Sequence, residues 1–157
     1  MLAIKVLGLI LAALLTPSLA IKTPHCRCLF GKDCWPGQAD FLALTSELSQ
    51  PLVHPLPPES ACYPSAQTEE CLEGQKNASN AVWRSDQVGS MTFPYFETFM
   101  FQNGTISGCY FNTTLGLPCG QGSVPPVGVD ARTVRDVQAA VKFASKHNLR
   151  LVVKNTG

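Results

Sequence analysis

A chain of 157 residues is long enough for one domain of ordinary size. A formal net charge of +1 and a pI near 7.6 argue against a nucleic-acid or anionic-membrane partner. Charged residues make up only 15%, and twelve Pro, twelve Gly and seven Cys predict much loop and many covalent cross-links.

Residues 1–20 have the pattern of a secretory signal peptide. Lys5 supplies the positive start, Val6 to Leu15 is an apolar run, Pro17 breaks it, and Ser18 and Ala20 place small residues where a signal peptidase reads. The alternative, a membrane anchor, needs about 20 apolar residues, and this run is too short. Cleavage removes Lys5 and no acid, leaving 11 basic and 11 acidic residues and no membrane attachment.

A secreted context changes the reading of the cysteines. All seven follow the signal: Cys26, Cys28, Cys34, Cys62, Cys71, Cys109 and Cys119. His25, Cys26, Cys28 and Cys34 could be taken for a metal site, but C-x-C is poor spacing for a structural zinc knuckle. In an oxidising compartment disulfides are the better reading, and no metal is expected. Because seven is odd, one cysteine is free or pairs outside these residues. Asn77, Asn103 and Asn112 each begin an N-x-S/T sequon, which predicts glycosylation at three surface positions.

Phe41, Leu44 and Leu48 at helical spacing predict a helix over 38–48, and Pro51, Pro55, Pro57 and Pro58 forbid its continuation. Leu52-Val53 is a short strand, and residues 65–80 are polar and loop-like. Trp83, Phe93, Tyr95, Phe96, Phe99 and Phe101 gather the aromatics, which are expected to pack in a core or interface rather than stack on a cofactor. Residues 102–105 form a turn between two short strands. Gly120-Gln121-Gly122-Ser123 is a turn and not a phosphate loop, since no strand ends before it and Val124-Pro125-Pro126 follows it.

The last stretch carries the strongest pattern. Val127 to Val129 is a short strand. Thr133 to Lys146 is an amphipathic helix with Val134, Val137, Ala140, Val141 and Ala144 on one face. Thr133 and Asp136 resemble a capping box, and Asn148 can end the helix in a left-handed conformation. Leu149 to Val153 is predicted as a strand, giving a βαβ unit. It runs into Lys154, Asn155, Thr156 and Gly157, a small polar turn of the kind whose backbone N–H groups can cradle phosphate. His54 and His147 lie in no metal or triad spacing, and Glu69-Glu70 and Lys142/Lys146 are solvated charges.

The run from Ser123 to Asn148 leading into L-R-L-V-V-K-N-T-G resembles the start of the PCMH-type FAD-binding domain of the vanillyl-alcohol oxidase superfamily. Three further blocks strengthen it: C-R-C-L-F-G-K-D-C-W-P at 26–36, L-S-Q-P-L-V-H-P-L-P-P at 48–58 and W-R-S-D-Q at 83–87. Together they resemble secreted fungal FAD-linked oxidoreductases of the berberine-bridge-enzyme-like and isoamyl-alcohol-oxidase-like kind. The resemblance implies FAD as cofactor and flavin-mediated oxidation of an alcohol, sugar or related small metabolite with oxygen as acceptor. It implies that Lys154, Asn155, Thr156 and Gly157 open the loop around the FAD pyrophosphate, and it carries over no catalytic residue. The expected fold is α+β: a signal peptide over 1–20, a disulfide-pinned and glycosylated region over 21–122, and the start of the FAD-binding domain over 123–157. The chain is expected to be an amino-terminal piece, inactive alone and with little or no hold on FAD. The alternative is a complete small secreted, cysteine-rich, glycosylated binding protein without catalysis.

Overall fold

The computed structural model describes residues 26–63 and 65–155. The signal peptide, His25, Thr156 and Gly157 lie outside them. Four helices and four two-residue strands alternate with 3-10 turns: α1 (Gln38–Glu47), β1 (Leu52–Val53), α2 (Glu69–Lys76), α3 (Ala81–Asp86), β2 (Phe99–Met100), β3 (Ile106–Ser107), β4 (Gly128–Val129) and α4 (Val134–Lys146). The α+β class is the one expected.

α4 forms where the sequence places it. The Thr133 hydroxyl accepts from the Asp136 N–H at 3.2 Å while Asp136 accepts from the Thr133 N–H at 2.8 Å, the reciprocal pair of a capping box. Asn148 has φ 53° and ends the helix in the left-handed region. Its side chain also binds the other end of the described chain. Nδ2 donates to the Cys26 carbonyl at 2.8 Å, and Oδ1 accepts from Arg27 at 3.1 Å.

The buried face of α4 is not the valine face. Asp136, Ala139 and Ala144 are buried, whereas Val134, Val137 and Val141 are exposed. α1 decides this by packing along the other side. The Phe41 and Phe143 rings meet at 5.3 Å, and Trp35 and His147 extend the aromatic row on either side. Deeper in, Asp136 takes two hydrogen bonds from Ser49, just beyond α1.

β4 pairs antiparallel with β1, Leu52 opposite Val129. β2 and β3 form the expected hairpin, Phe99 opposite Ser107. The run from Leu149 to Val153 is extended, but it makes only one parallel bridge, Leu149 to Cys28, instead of the predicted strand. A strand needs a neighbour to satisfy its ladder, and among the described residues no strand pairs with 150–153.

Residues 65–80 correct the sequence reading, because α2 lies within them. Thr68 caps it by accepting from the Cys71 N–H at 3.2 Å. Cys71, fully buried, is joined to Cys62. Cys28–Cys34 and Cys109–Cys119 complete three disulfides, and Cys26 is free and exposed. Closing loops this short contributes about 2–3 kcal/mol each through chain entropy. The bond between Cys28 and Cys34 removes two sulfurs from the metal alternative. Among the described residues no cluster of three or more His, Cys, Asp or Glu could hold a metal. No described helix is long and apolar enough to cross a membrane.

Candidate functional site

Lys154 sits against the end of α3, and the order there begins with a buried ion pair. Arg84 on α3 and Glu97 are both buried, and the Arg84 guanidinium donates to Glu97 Oε1. α3 starts at Asn80, whose side chain accepts from the Val82 and Trp83 N–H groups at 3.1 and 3.2 Å. The Arg84 Nε donates to the Met91 carbonyl at 2.8 Å. Glu97 Oε1 also accepts from the Met91 N–H at 2.6 Å and the Ser90 hydroxyl at 3.2 Å. A buried charge is tolerable when paired and hydrogen-bonded in this way, and the network fixes the segment from Gln87 to Met91. Gly89 contributes by its size: a Cβ there would lie 1.8 Å from the Leu56 carbonyl oxygen.

Glu59 completes the cluster from the 3-10 turn at Pro58–Cys62. It is buried, 3.7 Å from Arg84, and neither carboxyl oxygen has a hydrogen-bond partner among the described residues. Its pKa is raised from 4.5 to about 7, chiefly by burial and with the charge of Glu97 adding to it, against the pull of Arg84.

The Gln87–Met91 segment turns its carbonyls towards Lys154. The Lys154 ammonium donates to the carbonyls of Gln87 at 2.6 Å, Ser90 at 2.9 Å and Arg84 at 3.4 Å. These include carbonyls at the C-terminal end of α3, where helical partners run out and a cation is favoured. Desolvation lowers the Lys154 pKa, and nearby Glu97 opposes that. The rest of Lys154 and Asn155 are exposed. Beside the segment, an open depression of about 330 Å³ lies between Val53–Leu56 and Gln87–Gly89.

Of the residues singled out in the sequence, Lys154 and Asn155 are therefore placed together at this edge. The sequons lie elsewhere. Asn103 and Asn112 are exposed and Asn77 is half-buried at the end of α2. His147 lies at the end of α4, and Glu69 and Glu70 are exposed in the first turn of α2. The Gly120–Ser123 stretch is a turn. Phe93, Tyr95 and Phe96 pack on one another at 4.8–6.2 Å yet remain exposed, so of the expected core or interface packing these three rings do not form a core. Arg84, Glu97 and Glu59 escaped the sequence reading. No local pattern in the sequence marks them, because Glu59 and Glu97 lie far from Arg84 along the chain.

Comparison with known proteins agrees with the resemblance. Over 134 residues the chain is 34% identical to the FAD-linked oxidoreductase asqF of Emericella nidulans, a match covering 85% of this chain and 23% of that protein. It is 36% identical over 137 residues to the FAD-linked oxidoreductase notD of an Aspergillus species, covering 85% and 21%. A VAO-type flavoprotein from Myceliophthora thermophila C1 superposes with a TM-score of 0.69 at 31% identity, covering 85% of this chain and 24% of that one. A second VAO-type flavoprotein from the same organism gives 0.65 at 28%, covering 86% and 23%. No family model matches the sequence. The chain spans about a quarter of the length of these relatives. Over most of its own length it is related in sequence to the FAD-linked oxidoreductases, whose cofactor is FAD, and it shares the fold of VAO-type flavoproteins.

Proposed function

We propose that these residues form the opening part of an FAD-binding unit in a secreted, glycosylated oxidoreductase. Its substrate class is an alcohol, a sugar or a related small metabolite, with oxygen as acceptor. Bound FAD would supply the redox chemistry by taking a hydride from the substrate and passing the electrons to oxygen. This chain supplies Lys154 to Gly157 as the opening of the loop around the pyrophosphate. The observation that carries the reading is the attachment of Lys154 to three carbonyls, which fixes the start of that loop. The residues fit the group in chemical kind, with Lys154 and Asn155 exposed beside a rigid base. The open depressions of about 330 and 430 Å³ do not enclose a dinucleotide. The 157 residues alone therefore bind FAD weakly and do not turn over substrate.

The test is to purify the protein as its gene produces it. Its visible flavin absorbance is recorded, and peroxide release is measured with a panel of alcohols and sugars. Flavin with substrate-dependent peroxide supports the reading. A protein that carries no flavin and releases no peroxide overturns it, in favour of a disulfide-pinned binding protein. In parallel, the 157-residue chain is mixed with FAD and passed through gel filtration. Flavin retained in stoichiometric amount would overturn the statement that these residues alone bind it weakly.

A further inference from the structure

We infer that Lys154 is a positioning residue that holds the cofactor loop in place, and not a ligand of the phosphate itself. The inference rests on the FAD reading above and specifies how that site is built. A lysine at the mouth of a phosphate loop is ordinarily taken as the cation that meets the anion. Here the donors are already used. An ammonium has three N–H bonds, and Lys154 directs them to the three carbonyls of Arg84, Gln87 and Ser90. A phosphate contact would require at least one of these bonds to break.

The acceptors are themselves held. The Gln87 N–H donates to the Arg84 carbonyl at 3.2 Å and the Ser90 N–H to the Gln87 carbonyl at 3.1 Å, so two of the three oxygens lie in closed turns. The buried Arg84–Glu97 pair pins Ser90 and Met91 behind them. Gly89 passes so close to the Leu56 backbone that the segment cannot shift inward. Lys154 thus links the chain after α4 to a rigid frame 64 to 70 residues earlier. The phosphate is left to the backbone N–H groups that follow. Lys154 anchors the point from which they continue, in the way that a supporting group holds a ligand it does not replace.

Two substitutions separate the roles. Arg is an excellent phosphate ligand, planar and bidentate, but its fork does not reproduce three carbonyls converging on one nitrogen. If Lys154 met the phosphate, Lys154→Arg would retain FAD affinity and Lys154→Met would lose it. The positioning role predicts that both weaken FAD binding about tenfold or more in protein that still melts cooperatively. A second readout needs no flavin. Amide exchange in the 157-residue chain at Gln87 and Ser90 should speed up about tenfold in both variants, because their turns lose the shared cation. Lys154→Arg with wild-type FAD affinity, or unchanged exchange at Gln87 and Ser90 in Lys154→Met, overturns the inference. Faster exchange in a protein that never carries flavin supports the strut and defeats the oxidoreductase reading instead.

Discussion

Ser49 donates to both oxygens of Asp136, through its backbone N–H at 2.8 Å and its hydroxyl at 2.7 Å, across 87 residues of sequence. With the Arg132 and Thr133 N–H groups also donating, one carboxylate caps α4 and secures the exit of α1. These bonds, those from Ser49 first, push the Asp136 pKa far below its ordinary 3.8. A depressed folded pKa stabilises the fold above the unfolded value, and that contribution is lost as pH falls through the folded one. Asp136→Asn should therefore melt below the wild type from neutral pH down to about pH 4. The gap should narrow only in stronger acid. Parallel melting curves down to about pH 2 would contradict this.

Glu59 works in the opposite sense. Its carboxyl is held near pH 7 against an ordinary value of 4.5, so the folded chain keeps a proton that the unfolded chain has released. Stability from this group is present below about pH 4.5 and is lost as pH rises towards 7. The loss is on the order of 3 kcal/mol across that window. Glu59→Gln, neutral at every pH, should abolish this fall. Urea denaturation of both proteins across the window measures it, and equal slopes would refute the assignment.

Gly89 has no room for a side chain. Its added Cβ meets the Leu56 carbonyl oxygen at 1.8 Å and the carbonyl carbon at 2.6 Å, both backbone atoms. Gly89→Ala must displace the chain on one side, at a cost of about 3 kcal/mol. The Lys154 acceptors should loosen with it. A denaturation midpoint equal to the wild type would show that the contact relaxes freely.

Two of the three sequons suit modification in the secreted protein we propose. The Asn103 side chain accepts from the Thr105 N–H at 3.0 Å, and Asn112 from the Thr114 N–H at 3.1 Å, both on exposed turns. Asn77 is half-buried, and its amide nitrogen donates to the Glu73 carbonyl at 3.0 Å. Expression in a glycosylating host should give glycans at Asn103 and Asn112 and little at Asn77. Peptide mapping after enzymatic deglycosylation decides it, and unmodified Asn103 and Asn112 would count against the prediction.

What could be read from the sequence was what neighbouring residues decide. α4, its capping box and the left-handed Asn148 depend on residues within a few positions, and all appear as expected. α2 was hidden because polar residues dominate it, and the Cys62 partner that secures it lies outside the helix. The valine face of α4 was legible as a face but not as an exposed one, because Phe41 and Ser49 on a distant segment choose which side is buried. Lys154 was visible as a loop residue. Its work was not, since its three acceptors lie at the end of α3 and in the turn that follows it and are backbone atoms, which leave no mark on composition.

The disulfides carry a consequence for how the chain acquires its shape. After Cys26, the six remaining cysteines pair as successive neighbours, across 6, 9 and 10 positions. Each bridge can close as soon as its own short segment is available, without waiting for distant residues. Oxidation in chain order then leads to the native pairing, and the contacts between remote segments, such as Ser49 with Asp136, are left to form without covalent help.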